Sequence, residues 1–481
     1  MNTPLPVVII GAGPVGLAAA AHLLSRGLEP LLLEAGDSVG AGMQRWAHVR
    51  MFSPWEFTID SQARSLLAAR GWEQPDLAAF PTGGEVVERY LRPLAATPEI
   101  APRLRLGARV LGVARHRRDL MKDAGRGTQP YVVQYRDANG EREVLAQGVI
   151  DASGTIENPN FLGASGLPAL GERALSNQIA YGIPDVLGEQ RDRYAGKRVL
   201  VVGSGHSAFN VLKDLSRLSR QSPGMHVHWA LRRSSLARVL GGGDNDQLKE
   251  RGRLGQDIAR LVEEGSLTVH TGIEIDALEN TTSGIVARAG EQRLPAVDEI
   301  VAATGFRPDL SLLSEVRLSV HAGTQSPTAL APLIDPNQHS CGSVRPHGAE
   351  ELRHPDDGIY IVGMKSYGRA PTFLLLTGYE QVRSVAAALA GDWEAARRVE
   401  LVLPETGVCI TQFADEPAAA GKPEKAAGGC CGGPPAKDNS ACCVADEDAK
   451  AEGNTGCGCG SAKPAALANK VPVKATAGCC G

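Results

Sequence analysis

Continuous apolar runs alternate with helical patterns in the first part of the chain. Residues 7–10 (VVII) form a β-branched run that is typical of a buried parallel strand. The sequence GAGPVG comes next, then the apolar helical stretch LAAAAHLLSRG, and then a strand, PLLLE, that ends at Glu34. The pattern predicts a strand, a glycine-rich loop, a helix and a second strand ending in an acid.

The same order of elements recurs near Lys197. The sequence KRVLVVGSGHSAFNVLKDLSRL predicts a strand to Val202, a loop over residues 203–207 and a helix from about Ala208. VHWALRR is the next predicted strand. Strand-like segments lie between the two units (YVVQYRD, EVLAQGVIDASG) and after the second unit (LTVHTGIEIDAL, GIVARAG, EIVAATGFRPDL). This order predicts an α/β fold with two Rossmann-like dinucleotide-binding units.

The pattern changes toward the end of the chain. DGIYIVGMKSYGRAPTFLLLTGYEQVRSVAAALAGDW predicts a last strand, a loop and a closing helix. The apolar pattern fades after about Phe413. From Glu416 onward the sequence is mainly Ala, Gly, Pro, Lys and Cys, without periodicity or aromatic residues. This composition predicts a disordered tail.

Composition and charge narrow the possible functions. A net charge of −4 without a basic run argues against a nucleic-acid surface. The first apolar run lacks a basic leader, and glycines and Pro14 interrupt it, so we expect neither a targeting segment nor a membrane helix. We expect a cytoplasmic protein in which the ten cysteines are reduced thiols rather than disulfides.

The first glycine loop has the context that a dinucleotide site requires. Gly11 allows a tight turn, Gly13 lets a pyrophosphate approach the backbone, and Gly16 lets the helix pack close to the strand. The helix that begins near Pro14 presents its N-terminus to the phosphates. Glu34 can accept hydrogen bonds from ribose hydroxyls.

The strand that follows the second glycine loop ends differently from the strand that follows the first. That strand has no acid at its end and runs instead into two arginines. A carboxylate would repel a 2′-phosphate and guanidinium groups bind it, so we expect NADPH rather than NADH, unless the arginines only solvate a strand end. The residues predicted to bind this nucleotide are Gly203, Gly205, His206, Ser207, Ala208, Arg232 and Arg233.

Residues 5–400 resemble the flavoproteins that have two dinucleotide-binding domains. The segments ASG (152–154) and ATG (303–305) are similar to the two ATG-type crossover motifs of that group, and GIYIVG is similar to its last FAD-contacting strand. The resemblance implies FAD at the first loop and NADPH at the second, with cofactor contacts at Thr304, Gly305 and Gly363. A helix N-terminus near Thr372 is then expected close to the flavin.

The resemblance also implies how the domains are arranged. The nucleotide domain is inserted in the FAD domain. The predicted boundaries are residues 1–165 and 296–413 for the FAD-binding domain, 166–295 for the NADP-binding domain and 414–481 for the tail.

Two outcomes are open for electrons that NADPH delivers to the flavin. A dithiol relay needs a cysteine pair beside the flavin, and residues 30–60 and the second loop contain none. The other outcome is oxygenation, in which reduced flavin forms a C4a-hydroperoxide with O2, as in flavin-containing monooxygenases. Their usual FxGxxxHxxx motif is absent before the second loop. A reductase that passes electrons to a partner or a metal ion is the enzymatic alternative.

Three segments resemble the flavoprotein monooxygenases of arsenic-resistance operons (ArsO-type). They are WAHVRMFSPW, LIDPNQHSCGSVRPHG and the cysteine-rich tail. The resemblance implies a soft small-molecule or metalloid substrate, with O2 as co-substrate. Candidate active-site residues are Arg50, Trp46, Ser53 and Trp55, although the tryptophans could equally pack in a core. Arg50 would stabilise developing negative charge at the flavin.

A second cluster of chemically active side chains lies in HSCGSVRPHG. His339, Cys341 and His347 could ligate a soft ion, with Arg345 between them. A closed metal site usually needs more ligands than these three, so an ordinary loop is the favoured interpretation.

Most of the cysteines lie in the tail. Thiolates are soft ligands that suit As(III), Cu(I), Hg(II) or Zn(II), and the flanking glycines let separate cysteine pairs converge on one ion. We therefore favour a metalloid-capture tail over a redox-reactive or an inert one. A soft-metal-binding protein with a secondary flavin domain is the alternative of a different class. The candidate ligands are Cys430, Cys431, Cys442, Cys443, Cys457, Cys459, Cys479 and Cys480.

Overall fold

Two parallel β-sheets carry the glycine loops. The computed structural model describes residues 4–236, 239–240, 249–337, 344–370 and 373–401, with Lys249 for its backbone only. The chain divides into the compact unit Met1–Asp415 and a second unit, Glu416–Gly481, which lies outside the described residues together with the predicted disordered tail.

The strands of the described residues fall into four sheets. They are β1 (Val7–Ile10), β2 (Pro30–Leu33), β3 (Leu104–Arg105), β4 (Arg109–Arg115), β5 (Tyr131–Asp137), β6 (Gly140–Ala146), β7 (Gly148–Asp151), β8 (Ile179–Tyr181), β9 (Arg198–Val202), β10 (His226–Ala230), β11 (Thr268–His270), β12 (Ala277–Thr281), β13 (Gly284–Ala289), β14 (Gln292–Arg293), β15 (Glu299–Ala302) and β16 (Ile359–Ile361).

Helices cover the sheets and join their strands. They are α1 (Pro14–Ser25), α2 (Ala41–Gln44), α3 (Ser61–Ala68), α4 (Gly83–Val86), α5 (Arg92–Ala95), α6 (Arg191–Tyr194), α7 (His206–Ser219), α8 (Lys249–Glu263), α9 (Ala331–Ile334), α10 (Leu375–Leu389) and α11 (Trp393–Arg397). A π-helical turn, Val87–Leu91, joins α4 to α5. None of the helices in the described residues is long and apolar enough to cross a membrane.

The first sheet is parallel throughout and has the order β16-β7-β1-β2-β3. Every residue of β1 is buried, as its continuous β-branched run predicts. One face packs on α1 and α10, and the other face packs on β5 of the antiparallel sheet β4-β5-β6. The alanines of α1 are almost fully buried and let this helix pack closely between the sheet and α10.

The second sheet is also parallel and has the order β11-β10-β9-β15-β8. Helices α7 and α8 cover one face, and the antiparallel sheet β12-β13-β14 packs on the other. All of its strands fall between β7 and β16 in the sequence, so the second domain is inserted in the first. The predicted fold class is thereby confirmed for the described residues.

The domain boundaries themselves stay a prediction. Strand β15 belongs to the second sheet, although it lies beyond residue 295, the boundary that the sequence predicts. The chain returns to the first sheet only at β16.

Candidate functional site

The first glycine loop is built by close backbone contacts. Gly11 has φ +98°, and a Cβ on it would lie 2.9 Å from the carbonyl oxygen of Ala152, which comes directly after β7. A Cβ on Gly16 would lie 2.0 Å from the carbonyl oxygen of Gly11. Both positions therefore require glycine, as the sequence pattern predicts for a dinucleotide turn.

The start of α1 has room for a phosphate group. Gly13 is the N-cap residue and has no side chain to cap the helix, and Pro14 occupies the first turn. A Cβ on Gly13 would meet no described atom within 4 Å. Free N–H groups thus border open space at a helix N-terminus, which is the arrangement that binds a pyrophosphate. The loop fits the adenine dinucleotide FAD.

Glu34 lies directly after β2 and holds the first loop in place. Its carboxylate accepts hydrogen bonds from the backbone N–H groups of Ala12, at 2.6 Å, and Gly36, at 2.8 Å. Each oxygen keeps a lone pair after these bonds, so ribose hydroxyls can still donate to it. The predicted contact with the ribose stays a prediction, and bracing the loop is a role that the sequence did not indicate.

The second glycine loop repeats this construction at the end of β9. Gly203 has φ +136°, and its Cβ would lie 2.3 Å from the carbonyl oxygen of Ala303. Gly205 is the N-cap of α7, and its Cβ would meet no described atom within 4 Å. Ala208 is fully buried, which lets α7 pack on the sheet. The buried indole of Trp229 donates to the carbonyl oxygen of Gly203 at 2.8 Å and fixes the turn.

Aromatic residues connect the two halves of the site. His206 is the first residue of α7, and its ring lies 5.5 Å from the ring of Phe52, which belongs to the segment between α2 and α3. Ser207 is the next residue and is half-buried. The first domain therefore contacts the second at the point where a bound nucleotide would begin. Sequence reasoning missed Phe52, because nothing in its neighbourhood indicates the partner on α7.

A second contact lies beside the first. His48, also between α2 and α3, has a buried Nε2 atom without a hydrogen-bond partner among the described residues. Burial raises the pKa of Asp214 on α7, and the nearby Arg217 and His48 side chains oppose that rise. The segment from Trp46 to Ser53 therefore faces α7 with an imidazole as well as with Phe52.

The predicted active-site residues of this segment have different surroundings. Arg50 is exposed and donates to the carbonyl oxygen of Phe80. Trp46 is half-buried and packs against Gly83, whose Cβ would lie 2.7 Å from the indole ring. Ser53 and Trp55 are buried, with 7% and 2% of their surfaces exposed. Trp55 belongs to the core of the first domain, whereas Trp46 and Arg50 remain closer to solvent.

The predicted NADP arginines lie just beyond β10. Arg232 is exposed, and its guanidinium group donates to the carbonyl oxygen of Ala164 at 3.3 Å. Arg233 is half-buried, and its carbonyl oxygen accepts from the N–H of Gly272. Both residues stand at the carboxyl end of the strand next to β9, where the ribose of a nucleotide on the second loop would lie.

The second crossover segment, residues 303–305, lies against Asn160 in the connection that follows the first one. The Thr304 hydroxyl donates to the carbonyl oxygen of Asn160 at 2.7 Å, and the Asn160 side chain donates to the carbonyl oxygen of Thr304 at 3.1 Å. Gly305 has φ +86°, and its carbonyl oxygen accepts from the N–H of Asn160. In this structure Thr304 and Gly305 thus tie together the two connections between the domains.

Gly363 lies just after β16 and borders the first loop. It has φ +67°, its N–H donates to Gln381 on α10, and its Cβ would lie 3.3 Å from Val15 in the first turn of α1. Two residues further on, Lys365 forms a buried ion pair with Asp151. The sequence indicated Gly363 as a cofactor contact but did not indicate this pair.

Several predicted residues lie outside the described residues. Thr372, His339 and Cys341 are among them, as are all eight cysteines of the tail. His347 is described and is satisfied internally: its Nδ1 donates to the carbonyl oxygen of Arg345, and its Nε2 accepts from Gln381. Burial lowers the pKa of His347. No three His, Cys, Asp or Glu side chains among the described residues could hold a metal ion together.

Comparisons with known proteins agree with this geometry. The family model "Pyridine nucleotide-disulphide oxidoreductase" matches residues 8–340, a span that contains both glycine loops. The indole-3-pyruvate monooxygenase YUCCA1 of Oryza sativa subsp. japonica is 31% identical over 211 residues, which are 44% of this chain and 45% of that protein. This chain therefore matches about half the length of that relative.

Two further relatives match over longer spans. A ferredoxin–NADP reductase of Salinispora tropica is 26% identical over 64% of this chain and 76% of that protein. The structure of the bacillithiol disulfide reductase Bdr (YpdA) from Bacillus cereus superposes with a TM-score of 0.60 over 81% of this chain and 99% of that one, at 19% identity. The second likeness shows the fold alone.

Proposed function

Because the chain belongs to the pyridine nucleotide-disulphide oxidoreductase family, we propose that it is an FAD- and NADPH-dependent flavin monooxygenase. The protein is an oxidoreductase, and its cofactors are FAD and NADPH, as the two glycine loops predict. Its reaction and its substrate are the proposed part.

One observation carries the choice of reaction. The first 340 residues, which include the span of the family match, contain no cysteine. Electrons on the flavin therefore cannot pass to a dithiol within residues 1–340. The match to a monooxygenase favours O2 as the acceptor. Several other flavin-containing monooxygenases, including a human one, match at similar identity.

The chain's own residues would hold and orient the two cofactors. Gly11, Gly13 and the start of α1 would bind the FAD pyrophosphate, and Gly205 with the start of α7 would bind that of NADPH. The flavin supplies hydride acceptance and oxygen activation when it is bound. The segment that carries Phe52 lies against α7 and would keep water away from the reacting groups.

The proposal is tested by following the oxygen atoms. Full-length protein loaded with FAD is given NADPH, ¹⁸O2 and either arsenite or thioanisole as a soft acceptor. One NADPH, one proton and one O2 should yield NADP⁺, one water and one oxygenated product that carries a single ¹⁸O atom. NADPH consumption without labelled product, with all electrons recovered in hydrogen peroxide, would contradict oxygenation of these probes.

The second candidate is a reductase that passes electrons to a protein. The ferredoxin–NADP reductase of Salinispora tropica supports it, because that match covers most of both chains. Ferredoxin reduction under anaerobic conditions, at a rate that matches NADPH oxidation, would favour this candidate. The oxygenase predicts slow ferredoxin reduction under the same conditions.

We further propose that NADPH is preferred over NADH because of Arg232 and Arg233. Both arginines stand at the carboxyl end of β10, and a guanidinium group binds a 2′-phosphate strongly. The double variant Arg232→Ala/Arg233→Ala should lower the ratio of kcat/KM for NADPH to that for NADH about tenfold, which is about 1.4 kcal/mol. An unchanged ratio would remove these arginines from the site.

The segment around Arg50 is proposed to line the substrate side of the flavin. Its position beside α7 supports this, since Phe52 lies two residues from Arg50. Arg50 would stabilise negative charge that develops during oxygen activation. Trp46 and Ser53 would shape the surrounding wall, and the buried Trp55 would support it from the core.

We propose that the cysteine-rich tail binds arsenic. Eight of the ten cysteines lie in the last 52 residues, and thiolates suit As(III). We propose an ArsO-type monooxygenase whose tail captures metalloid. Equilibrium dialysis of the full chain with arsenite should show binding that disappears when the eight tail cysteines become serine. The variant Cys341→Ser/Cys409→Ser is the matched control, and equal binding by all three proteins would contradict capture.

A further inference from the structure

A buried charge cluster joins the carboxyl ends of β7 and β16, which are neighbours in the first sheet. Lys365 Nζ donates to Asp151 Oδ2 at 2.6 Å and to the Ser153 hydroxyl at 3.0 Å. The Ser153 hydroxyl in turn donates to the other oxygen of Asp151 at 2.6 Å. The side chains of Lys365 and Asp151 are 1% and 0% exposed. Lysine is almost never buried to this degree unless it is paired, so the cluster is a specific feature of this site.

The cluster lies against the first glycine loop. Asp151 is paired in register with Ile10, the last residue of β1, and with Ile361 of β16, so the three strand ends lie side by side. A Cβ on Gly11 would lie 3.1 Å from the Cα of Ser153. Ligands of open parallel sheets bind outside these carboxyl ends. The charges are thus next to the loop that binds FAD.

The second side of the cluster faces α1. Lys365 belongs to the 3-10 turn Gly363–Tyr367, and Gly363 packs against Val15 in the first turn of α1. A lysine ammonium group has three N–H donors, and Asp151 and Ser153 accept two of them. Hydrogen bonds from Ser311 and, more weakly, the charge of Lys365 lower the pKa of Asp309, so a second carboxylate lies near the ammonium group.

We propose that the Lys365–Asp151–Ser153 cluster positions FAD and sets the reduction potential of its flavin. Well-packed hydrophobic residues often stabilise a fold as well as a buried ion pair does, so fold stability does not by itself require these charges. Buried charges act on a nearby cofactor with less screening than exposed charges do. The proposal rests on FAD binding at the first loop, and it assigns Lys365 as a positioning residue.

Removing the charge of Lys365 and removing the charge of Asp151 should shift the reduction potential of the flavin in opposite directions. Reduction adds negative charge to the flavin. Removing the ammonium group leaves the Asp151 carboxylate uncompensated, which disfavours that charge and lowers the potential. Removing the carboxylate charge leaves the ammonium group uncompensated, which raises the potential. A cluster that only supports the fold would not produce shifts of opposite sign.

The test measures flavin midpoint potentials of the FAD-loaded, full-length protein. Lys365→Met should shift the midpoint negative, Asp151→Asn should shift it positive, and Lys365→Met/Asp151→Asn should return it close to wild type. Lys365→Arg keeps the charge and should stay near wild type. The FAD dissociation constant of Lys365→Met should rise about tenfold, which is about 1.4 kcal/mol.

The matched control is a buried ion pair elsewhere in the same unit. Arg126 and Asp356 meet at 2.6 Å with side chains 4% and 5% exposed. Asp356 lies before β16, at the amino end of that strand, away from the glycine loop. Asp356→Asn should lower the thermal midpoint without moving the flavin potential.

Two results would overturn the inference. They are shifts of the same sign in Lys365→Met and Asp151→Asn, or unchanged potentials in variants that retain FAD. If Lys365→Met does not fold, Asp151→Asn and Lys365→Arg still decide, because only the first should move the potential. If the wild-type protein did not bind FAD, that result would contradict the cofactor assignment instead.

Discussion

The two glycines of the second loop have different reasons for being glycine. Gly205 has an ordinary extended conformation and faces open space, whereas Gly203 has φ +136° and touches Ala303. Gly205→Ala should therefore fold normally but place a methyl group where the nucleotide phosphates lie. We expect KM for NADPH to rise about tenfold, which is about 1.4 kcal/mol, at an unchanged thermal midpoint.

Gly203→Ala is the control for that measurement. Its Cβ would lie 2.3 Å from a backbone oxygen, and left-handed backbone strain alone costs about 1–3 kcal/mol. This variant should lose thermal stability as well as NADPH affinity. If Gly205→Ala bound NADPH as tightly as wild type, the phosphates would not lie at the start of α7.

His354 predicts how stability depends on pH. Its Nδ1 accepts a hydrogen bond from the N–H of Ser319 at 3.2 Å. Burial disfavours the charged imidazolium and lowers the pKa of His354 to about 4. The unfolded chain binds that proton near pH 6.5, so stability is complete above pH 6.5 and falls as the pH drops toward 4. The slope is at most about 1.4 kcal/mol per pH unit for this one group.

Thermal midpoints between pH 8 and pH 4 would check this prediction. His354→Asn keeps an acceptor for Ser319 but cannot titrate, so its midpoint should fall less steeply below pH 6.5 than that of wild type. Parallel curves for the two proteins would show that His354 does not titrate in this range.

The sequence predicts where the backbone needs glycine better than it predicts which side chains form hydrogen bonds or ion pairs with each other. Gly11 and Gly16 could be predicted because their spacing in the sequence determines the turn. Glu34 was predicted at the correct strand end, but its bonds to Ala12 and Gly36 depend on how the loop folds back. Lys365 and Asp151 are 214 positions apart in the sequence, and no local pattern connects them.

At the scale of elements, the segment between α2 and α3 contacts the start of α7 through Phe52. Because His206 begins the helix that would bind NADPH, Phe52 should help to orient the nucleotide for hydride transfer. Phe52→Ala should slow flavin reduction by NADPH about tenfold in anaerobic stopped-flow experiments. Reduction of its flavin by dithionite should be unchanged.

The control for Phe52 is close in the sequence. Phe57 is half-buried in the turn after Ser53, and Phe57→Ala removes a similar apolar side chain on the same connection. It should reduce the flavin with NADPH at nearly the wild-type rate. Equal slowing in both variants would indicate a general loosening of the segment rather than a role at α7.

Strand positions could be predicted more accurately than helix starts. Strands β1 and β9 end where the apolar runs predict, because a β-branched run buried on both faces has few alternatives. Helix α7 begins at His206, two residues before the predicted start, because Gly205 serves as the N-cap. Polar residues after a glycine gave no hydrophobic signal for that first turn.

At the scale of the whole molecule, two connections set the position of one nucleotide domain relative to the other. Residues 158–160 lead out of the first domain and residues 304–307 lead back. Besides the reciprocal bonds of Thr304 and Asn160, the N–H of Arg307 donates to the carbonyl oxygen of Asn158 at 3.0 Å. The geometry for hydride transfer between the domains therefore depends on this paired connection.

Thr304→Val tests whether Thr304 acts on the cofactor or on the connection. Valine keeps the shape of threonine but cannot donate to Asn160. If the hydroxyl mainly ties the connections, FAD affinity should stay unchanged while flavin reduction by NADPH slows about fivefold, which is about 1 kcal/mol for one lost hydrogen bond. A rise in the FAD dissociation constant, with an unchanged reduction rate once FAD is saturating, would instead support the direct FAD contact that the crossover motif implies. Comparing titration with stopped-flow reduction separates these two outcomes, because the connection governs the distance between the cofactors and a direct contact governs occupancy.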